Sequence, residues 1–234
     1  MKSLMAAAGV LCGLTSIRCV SAQGADPNLL READAVRTVL ANAKAALGAY
    51  TWIEYVEVLV EGKVHSTEEL SCRYNSKGEV VRTLKGETAP EGKPGSAVSN
   101  KPRSRSKAAK QDYIERAISL IRYYVPPNPD RITAMLQNGT ASMGPSEGGK
   151  SEIRFQRYFM AGDSMVFKYD SVSKALVHVT IAAFLGDKKD PVTLEADFGT
   201  LQGGVAHLDS TTLDAKVKKV QVKTRNLSYQ KVSN

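Results

Sequence analysis

SEIRFQRYFMAGDSMVFKYD, residues Ser151–Asp170, opens the stretch that decides the fold, and its pattern continues to Lys231. Between Glu152 and Phe159 the odd positions Ile153, Phe155 and Phe159 are apolar while Glu152, Arg154 and Gln156 are polar. A period of two marks a strand with one buried face, and Arg157 interrupts it. After Ala161-Gly162-Asp163 the alternation resumes with Met165, Phe167 and Tyr169 against Ser164 and Lys168, so the pair predicts a hairpin. Turn residues at Asp170-Ser171 and Ser173-Lys174 precede Lys174–Phe184, and Gly186-Asp187 precedes Val192–Phe198. In the latter, Val192, Leu194, Ala196 and Phe198 face one way and Thr193, Glu195 and Asp197 the other. Gly203-Gly204 leads to a last pair, roughly Val205–Leu213 and Lys216–Tyr229. Six strands joined by short loops must be mostly antiparallel, because a parallel neighbour needs a crossover of about a dozen residues or more.

Upstream of this meander the Gly- and Ser-rich Thr140–Lys150 reads as a loop. Before it, Lys110–Val125 has helical spacing, with Ile114, Ala117, Ile118, Ile121 and Val125 on one face, and Pro126-Pro127 stops it. Asn128-Pro129 predicts the cap of a short helix carrying Ile132, Met135 and Leu136, closed by Asn138-Gly139. Near the start of the chain, Asp26-Pro27 signals a helix whose stripe is Leu29, Ala33, Val36, Leu40, Ala43 and Leu47, with Gly48 at its end. Tyr50–Val60, Val64–Tyr74 and Glu79–Leu84 then form three strands. The first carries Trp52, Val56, Val58 and Val60 on one face and Ile53, Tyr55 and Leu59 on the other, which predicts cover on both sides. Helix, three strands, two helices and six strands give an α+β fold: an antiparallel sheet of about nine strands with the helices collected on one side.

Composition bounds what the chain does. Lys2, the apolar run Leu4–Leu14 and the small residues Val20-Ser21-Ala22 predict a cleavable export signal cut after Ala22, leaving Gln23–Asn234 as a single periplasmic domain. Loss of Lys2 and Arg18 takes the formal net charge from +8 to +6, so the product stays basic. Of the three cysteines only Cys72 remains, in phase with Leu70 and Tyr74, and reads as a small buried residue. Lys85–Ala109 has no aromatics, three prolines and three glycines, and predicts a mobile insertion, at about 85–110 in all. Lys93, Lys101, Arg103, Arg105, Lys107 and Lys110 make its second half basic with no acidic residue.

Catalytic and metal chemistry need converging groups, and none are evident. His65, His178 and His207 are isolated in sequence and read as half-exposed strand residues. Glu68 and Glu69 fall on opposite faces of a strand, and Glu195 and Asp197 lie on a solvated face. The reading is therefore no enzyme, no catalytic residues, no cofactor and no metal. Lys101, Arg103, Arg105, Lys107 and Lys110 are either a solvated loop or a dock for an anionic membrane surface. Tyr113 is the one aromatic near them, so nucleic acid is not the expected partner. Large apolar residues on strands that curl would line a closed core in the first instance, or else a greasy hollow beneath the helices.

The leading helix, the Tyr50-Thr51-Trp52 strand entry, the hairpins and the helical excursion before a long meander resemble the exported bacterial lipoprotein carriers and their relatives. Tyr50-x-Trp52, Arg73-Tyr74 before the Gly78 turn, Tyr124-x-Pro126-Pro127 and Gly162-Asp163 look closer to the uncharacterised exported members than to the true carriers. This is the Lol-carrier-like half-barrel superfamily. The resemblance covers about Leu29–Val232 and departs from the family pattern in the basic insertion. It implies an incomplete antiparallel barrel with a helical lid and an acyl-binding cavity between them. The expected occupant is an apolar ligand or a lipid-modified protein bound by a monomer. From alternation, the residues expected to face that cavity are Trp52, Val56, Val58, Phe155, Phe167, Val179, Ile181 and Leu194 from the sheet and Ile118 and Ile121 from the helices.

Overall fold

A computed structural model describes residues 26–88 and 105–232. Helix α1 (Pro27–Leu47) leads into strands β1 (Tyr50–Val60), β2 (Lys63–Tyr74) and β3 (Val80–Thr88). Helices α2 (Arg105–Tyr124) and α3 (Pro129–Gln137) follow. The chain then returns through β4 (Ala141–Glu147), β5 (Lys150–Gln156), β6 (Ser164–Asp170), β7 (Leu176–Phe184), β8 (Pro191–Thr200), β9 (Ala206–Ala215) and β10 (Val220–Lys231). The ten strands among the described residues form one antiparallel sheet in the order β3-β2-β1-β10-β9-β8-β7-β6-β5-β4. It is curved and unclosed, with β3 and β4 as its edges. The α+β half-barrel expected from the sequence is therefore present, with one strand more.

The extra strand is β4, in the stretch read above as a loop. Its Gly, Pro and Ser residues have low strand propensity, but pairing with β5 overrides that at the sheet edge, where proline costs no ladder bond. A register shift between Met143 and Ser146 accommodates Gly144-Pro145. Gly144 lies so close to β5 that a Cβ there would meet Glu152 Cβ at 2.7 Å. Other boundaries differ as well: β10 begins at Val220, because Lys216–Lys218 form a 3-10 turn and Lys219 takes a left-handed conformation (φ 51°). Strand β5 ends at Gln156 because Arg157 takes a left-handed conformation (φ 60°), so Phe159 sits in the following loop. Strand β3 runs on through Lys85 to Thr88, and α2 begins at Arg105, so both ends of the expected insertion are regular structure. Its remainder and the export signal lie outside the described residues.

Strand pairing builds the core directly. Phe155, Met165, Ile181, Leu194, Leu213, Val222 and Val58 stand opposite one another in turn, one unbroken row across β5 to β10 and on to β1. Each is at most 2% exposed. Leu29, Ala33, Val36 and Leu40 of α1, with Ile114, Ala117 and Ile121 of α2, cover this face. One row further along, Ile153, Phe167, Val179 and Ala196 lead to Thr211 and Thr224, which share a buried 2.7 Å hydrogen bond. The outer face of β1 is only half-buried, so cover on both sides is not what this strand has.

Buried polar contacts set the helices. At the α2 end, Tyr124 Oη donates to the buried Asp163 carboxylate, which also accepts from the Phe159 and Met160 N–H groups at 2.8 and 2.9 Å. Burial first, and then Asp163, pushes the Tyr124 hydroxyl far above its ordinary range. Two of the motifs quoted for the family resemblance, Tyr124-x-Pro126-Pro127 and Gly162-Asp163, thus meet in one structural lock. On the other side, Glu32 of α1 accepts from Lys174 Nζ at 2.6 Å and from Tyr169 Oη at 3.1 Å, fastening α1 to β6 and the β6–β7 turn.

Candidate functional site

Beyond the two threonines the inward rows turn polar, and there the helices no longer fill the sheet. A cleft opens between the C-terminal half of α1, the Pro126-Pro127 linker and the ends of β1, β2, β3 and β8–β10. The α1 wall is Leu40, Ala43, Lys44 and Leu47, spaced to fall on one helical face. The empty space amounts to about 640 Å³, counting what is open to solvent. Its narrow part admits only a few water-sized occupants.

Trp52, the one tryptophan of the chain, is the centre of the sheet wall. Its ring stacks on Tyr229 (5.6 Å between centroids, 17° between planes) and tilts against Tyr74 at 5.5 Å. The indole N–H donates to Asn226 Oδ1 at 3.1 Å, and Asn226 Nδ2 and Tyr229 Oη both donate to the Leu208 carbonyl at 3.1 Å. A bulge makes this cradle. Thr51 pairs with Gln230 and Ile53 with Leu227, so Ser228 and Tyr229 together oppose Trp52, and Ser228 takes φ 55°. The extra residue reverses the facing of β10, which brings Tyr229 inward beside Trp52.

The cleft has a charged floor. Glu54 is 6% exposed and lies in line with Trp52 and Val56 on β1. Both of its oxygens accept from Arg82 Nε, at 3.0 and 3.1 Å, and Arg122 of α2 lies 3.8 Å away. Arg122 is held below the ordinary arginine range by burial and then by the Arg82 charge. Cys72, paired with Trp52 across β1 and β2, is 1% exposed, and burial followed by the Glu54 charge pushes its thiol up to about 11. It is the small buried residue its position in the alternation implied.

His207 differs from its sequence reading. Its side chain is 10% exposed, meets Tyr229 edge-on at 4.6 Å and lies over Gly199, where a Cβ would come within 2.9 Å of the ring. Nδ1 is buried without a hydrogen-bond partner among the described residues. Burial lowers the pKa of the ring, which favours its neutral form. His178 is on the outer face, with Nδ1 2.7 Å from Asp197 Oδ1. Ser210 Oγ donates to Asp197 rather than to the histidine, so these three do not form a nucleophile–base pair. Among the described residues no group of three or more His, Cys, Asp or Glu side chains is placed to hold a metal ion.

Among the solved structures similar to this chain in fold are the following two. A DUF1329 family protein from Desulfovibrio piger aligns with a TM-score of 0.45 at 8% identity, over 87% of this chain and 93% of that one. A LolA superfamily protein from Nitrosomonas europaea aligns with a TM-score of 0.45 at 7% identity, over 85% and 94%. No family model matches the sequence, and no curated protein matches it either.

Of the residues expected to face a cavity, Trp52 lines the cleft. Val56, Val58, Phe155, Phe167, Val179, Ile181 and Leu194 are at most 2% exposed and belong to the packed core, as does Ile121 at 5%. Ile118 is partly buried against that core. The middle of the concave face is therefore filled by the protein's own side chains, and the hollow is displaced to one end. Lys101 and Arg103 lie outside the described residues, Arg105 and Lys107 fall in the first turn of α2, and Lys110 is exposed on α2. No helix among the described residues is long and apolar enough to cross a membrane.

Proposed function

We propose that this chain is an exported binding protein that shelters an apolar chain, of the kind carried by a lipid or a lipid-modified protein, in the cleft around Trp52. The observation that carries the reading is the aromatic cradle of Trp52, Tyr74 and Tyr229 in an apolar cleft between helix and sheet. Burial of such a chain yields about 25 cal/mol per Å² before the costs of association, and no covalent step is needed. The narrow part of the cleft is too small for a long acyl chain as it stands. Binding on this reading lifts the Leu40–Leu47 end of α1, or the Pro126-Pro127 linker, away from the sheet. The sequence at Lys2–Ala22 supports export to the periplasm, and the protein works there as a monomer without cofactor or catalysis.

Trp52 reports directly on the cleft. Titration of the delipidated protein with straight-chain alcohols of increasing length should shift its emission, each added methylene tightening binding by up to about fourfold. Native mass spectrometry of freshly purified protein should show a co-purifying lipid. No emission change with any chain length, together with no bound lipid, overturns the proposal.

A further inference from the structure

The apolar cleft continues past Tyr74 and Val80 into a second hollow. It lies between the β2–β3 turn and the Pro126-Pro127 linker, with about 670 Å³ of empty space including that open to solvent. Lys44, Tyr74, Val80, Arg82 and the two prolines border both spaces, so a single molecule can occupy the two at once. The second hollow differs from the first in charge. Lys44 from α1, Arg82 from β3 and Arg122 from α2 converge on it from three separate elements.

These cations are under-used. Lys44 lies over Gly78, where a Cβ would stand 3.3 Å from Lys44 Cε, and it has no ion-pair partner among the described residues. Arg82 engages Glu54 through Nε alone, and no described group accepts from its two terminal nitrogens. Arg122 stands 3.8 Å from the same carboxylate and 39% exposed, while Glu68 acts on it electrostatically. Glu54 already gives both oxygens to Arg82. A guanidinium fork presents paired donors that match a planar or tetrahedral oxyanion, and an arriving anion relieves the repulsion between Arg82 and Arg122.

We infer that the occupant is an amphiphile with a compact oxyanion head, a carboxylate or a phosphate monoester, held by Lys44, Arg82 and Arg122 while its tail lies along Trp52. This rests on the apolar-chain reading of the cleft and adds the chemistry of the head. Uncharged chains then bind only by their tails. Charge-assisted hydrogen bonds make the anionic forms bind at least about tenfold more tightly.

The test compares dodecanoate, dodecyl phosphate and dodecanol, titrated into the delipidated full chain and followed by Trp52 emission. The expected result is that at least one anion binds about tenfold or more tighter than the alcohol, the stronger of the two naming the head group. In a Lys44→Gln, Arg122→Gln variant, which leaves the Glu54–Arg82 pair in place, the affinities for the anions should fall most of the way to that for dodecanol, with Arg82 alone left to hold the head. Equal affinity of the wild type for all three overturns the inference and leaves the apolar-chain reading standing. So does an anion preference that is undiminished in the folded double variant. No binding of any of the three overturns both. Should the double variant not fold, the comparison in the wild type decides alone.

Discussion

Replacing Arg82 by Gln removes the guanidinium that holds Glu54 at the floor of the cleft, and its cost follows from burial. The Glu54 side chain is 8% exposed and Arg82 21%. Breaking a fully buried pair by deleting one partner costs about 3–5 kcal/mol, because the remaining charge is left without compensation. A surface pair is worth about 0–1 kcal/mol. This pair lies between the two limits: the carboxylate is buried, but Arg122 remains 3.8 Å away and Arg82 is partly solvated. The expected loss for Arg82→Gln is about 2–3 kcal/mol. Glu54→Gln leaves two neighbouring guanidiniums without their anion and should cost about 1–2 kcal/mol. In the double variant two neutral amides face each other, so its loss should fall short of the sum by about 2 kcal/mol. Urea unfolding, followed by Trp52 emission and by far-ultraviolet circular dichroism, measures all four proteins, and an unchanged denaturant slope shows that the native and unfolded states are comparable. An Arg82→Gln loss below about 0.5 kcal/mol, or strict additivity of the two single changes, would refute a buried carboxylate held by Arg82.

Two further outcomes concern the fold. Leu194 is 1% exposed in the middle of the seven-residue row, so Leu194→Ala should cost about 2–5 kcal/mol in the same urea assay, against under about 0.5 kcal/mol for the exposed Val64→Ala. Equal losses would mean that the row is not the core. The Glu32 carboxyl is held below its ordinary range, first by the hydrogen bond from Lys174. Its ionised form therefore favours the folded state, an effect fully present above the unfolded-state pKa and lost as pH falls through the lower folded-state value. The thermal-stability gap between wild type and Glu32→Gln should thus be open at neutral pH and close as the pH is lowered past the ordinary glutamate range, whereas a gap unchanged by acidification would contradict the α1 anchor.

Alternation and turn residues made most of the sheet legible. Ile153, Phe155, Met165, Phe167 and Leu194 announce their facing locally, because side chains on a strand alternate whatever lies opposite. Asp26-Pro27 and Asn128-Pro129 announce the starts of α1 and α3 for the same reason: a side-chain oxygen caps N–H groups within its own turn, as Asp26 does for Asn28 and Asn128 for Asp130. Strand β4 escaped because its residues have no such local preference and are strand only by virtue of β5 beside them. Glu54 escaped because a carboxylate in an apolar row looks like an interruption until Arg82 and Arg122, far along the chain, are brought to it. Tyr229 and His207 were hidden by the β10 bulge and by the close approach of Gly199, neither of which leaves a periodic trace.

By itself, then, the sequence determined an antiparallel sheet with one apolar face, an amphipathic helix before it and two helices set between its two meanders. Whether that apolar face closes on itself or leaves room was decided only in three dimensions, where α1 and α2 pack the row from Phe155 to Val58 and stop short of Trp52. The reason is physical. Facing is a property of neighbouring residues along one strand, but free volume is what remains after side chains from distant elements have met, and no single stretch of chain encodes that remainder.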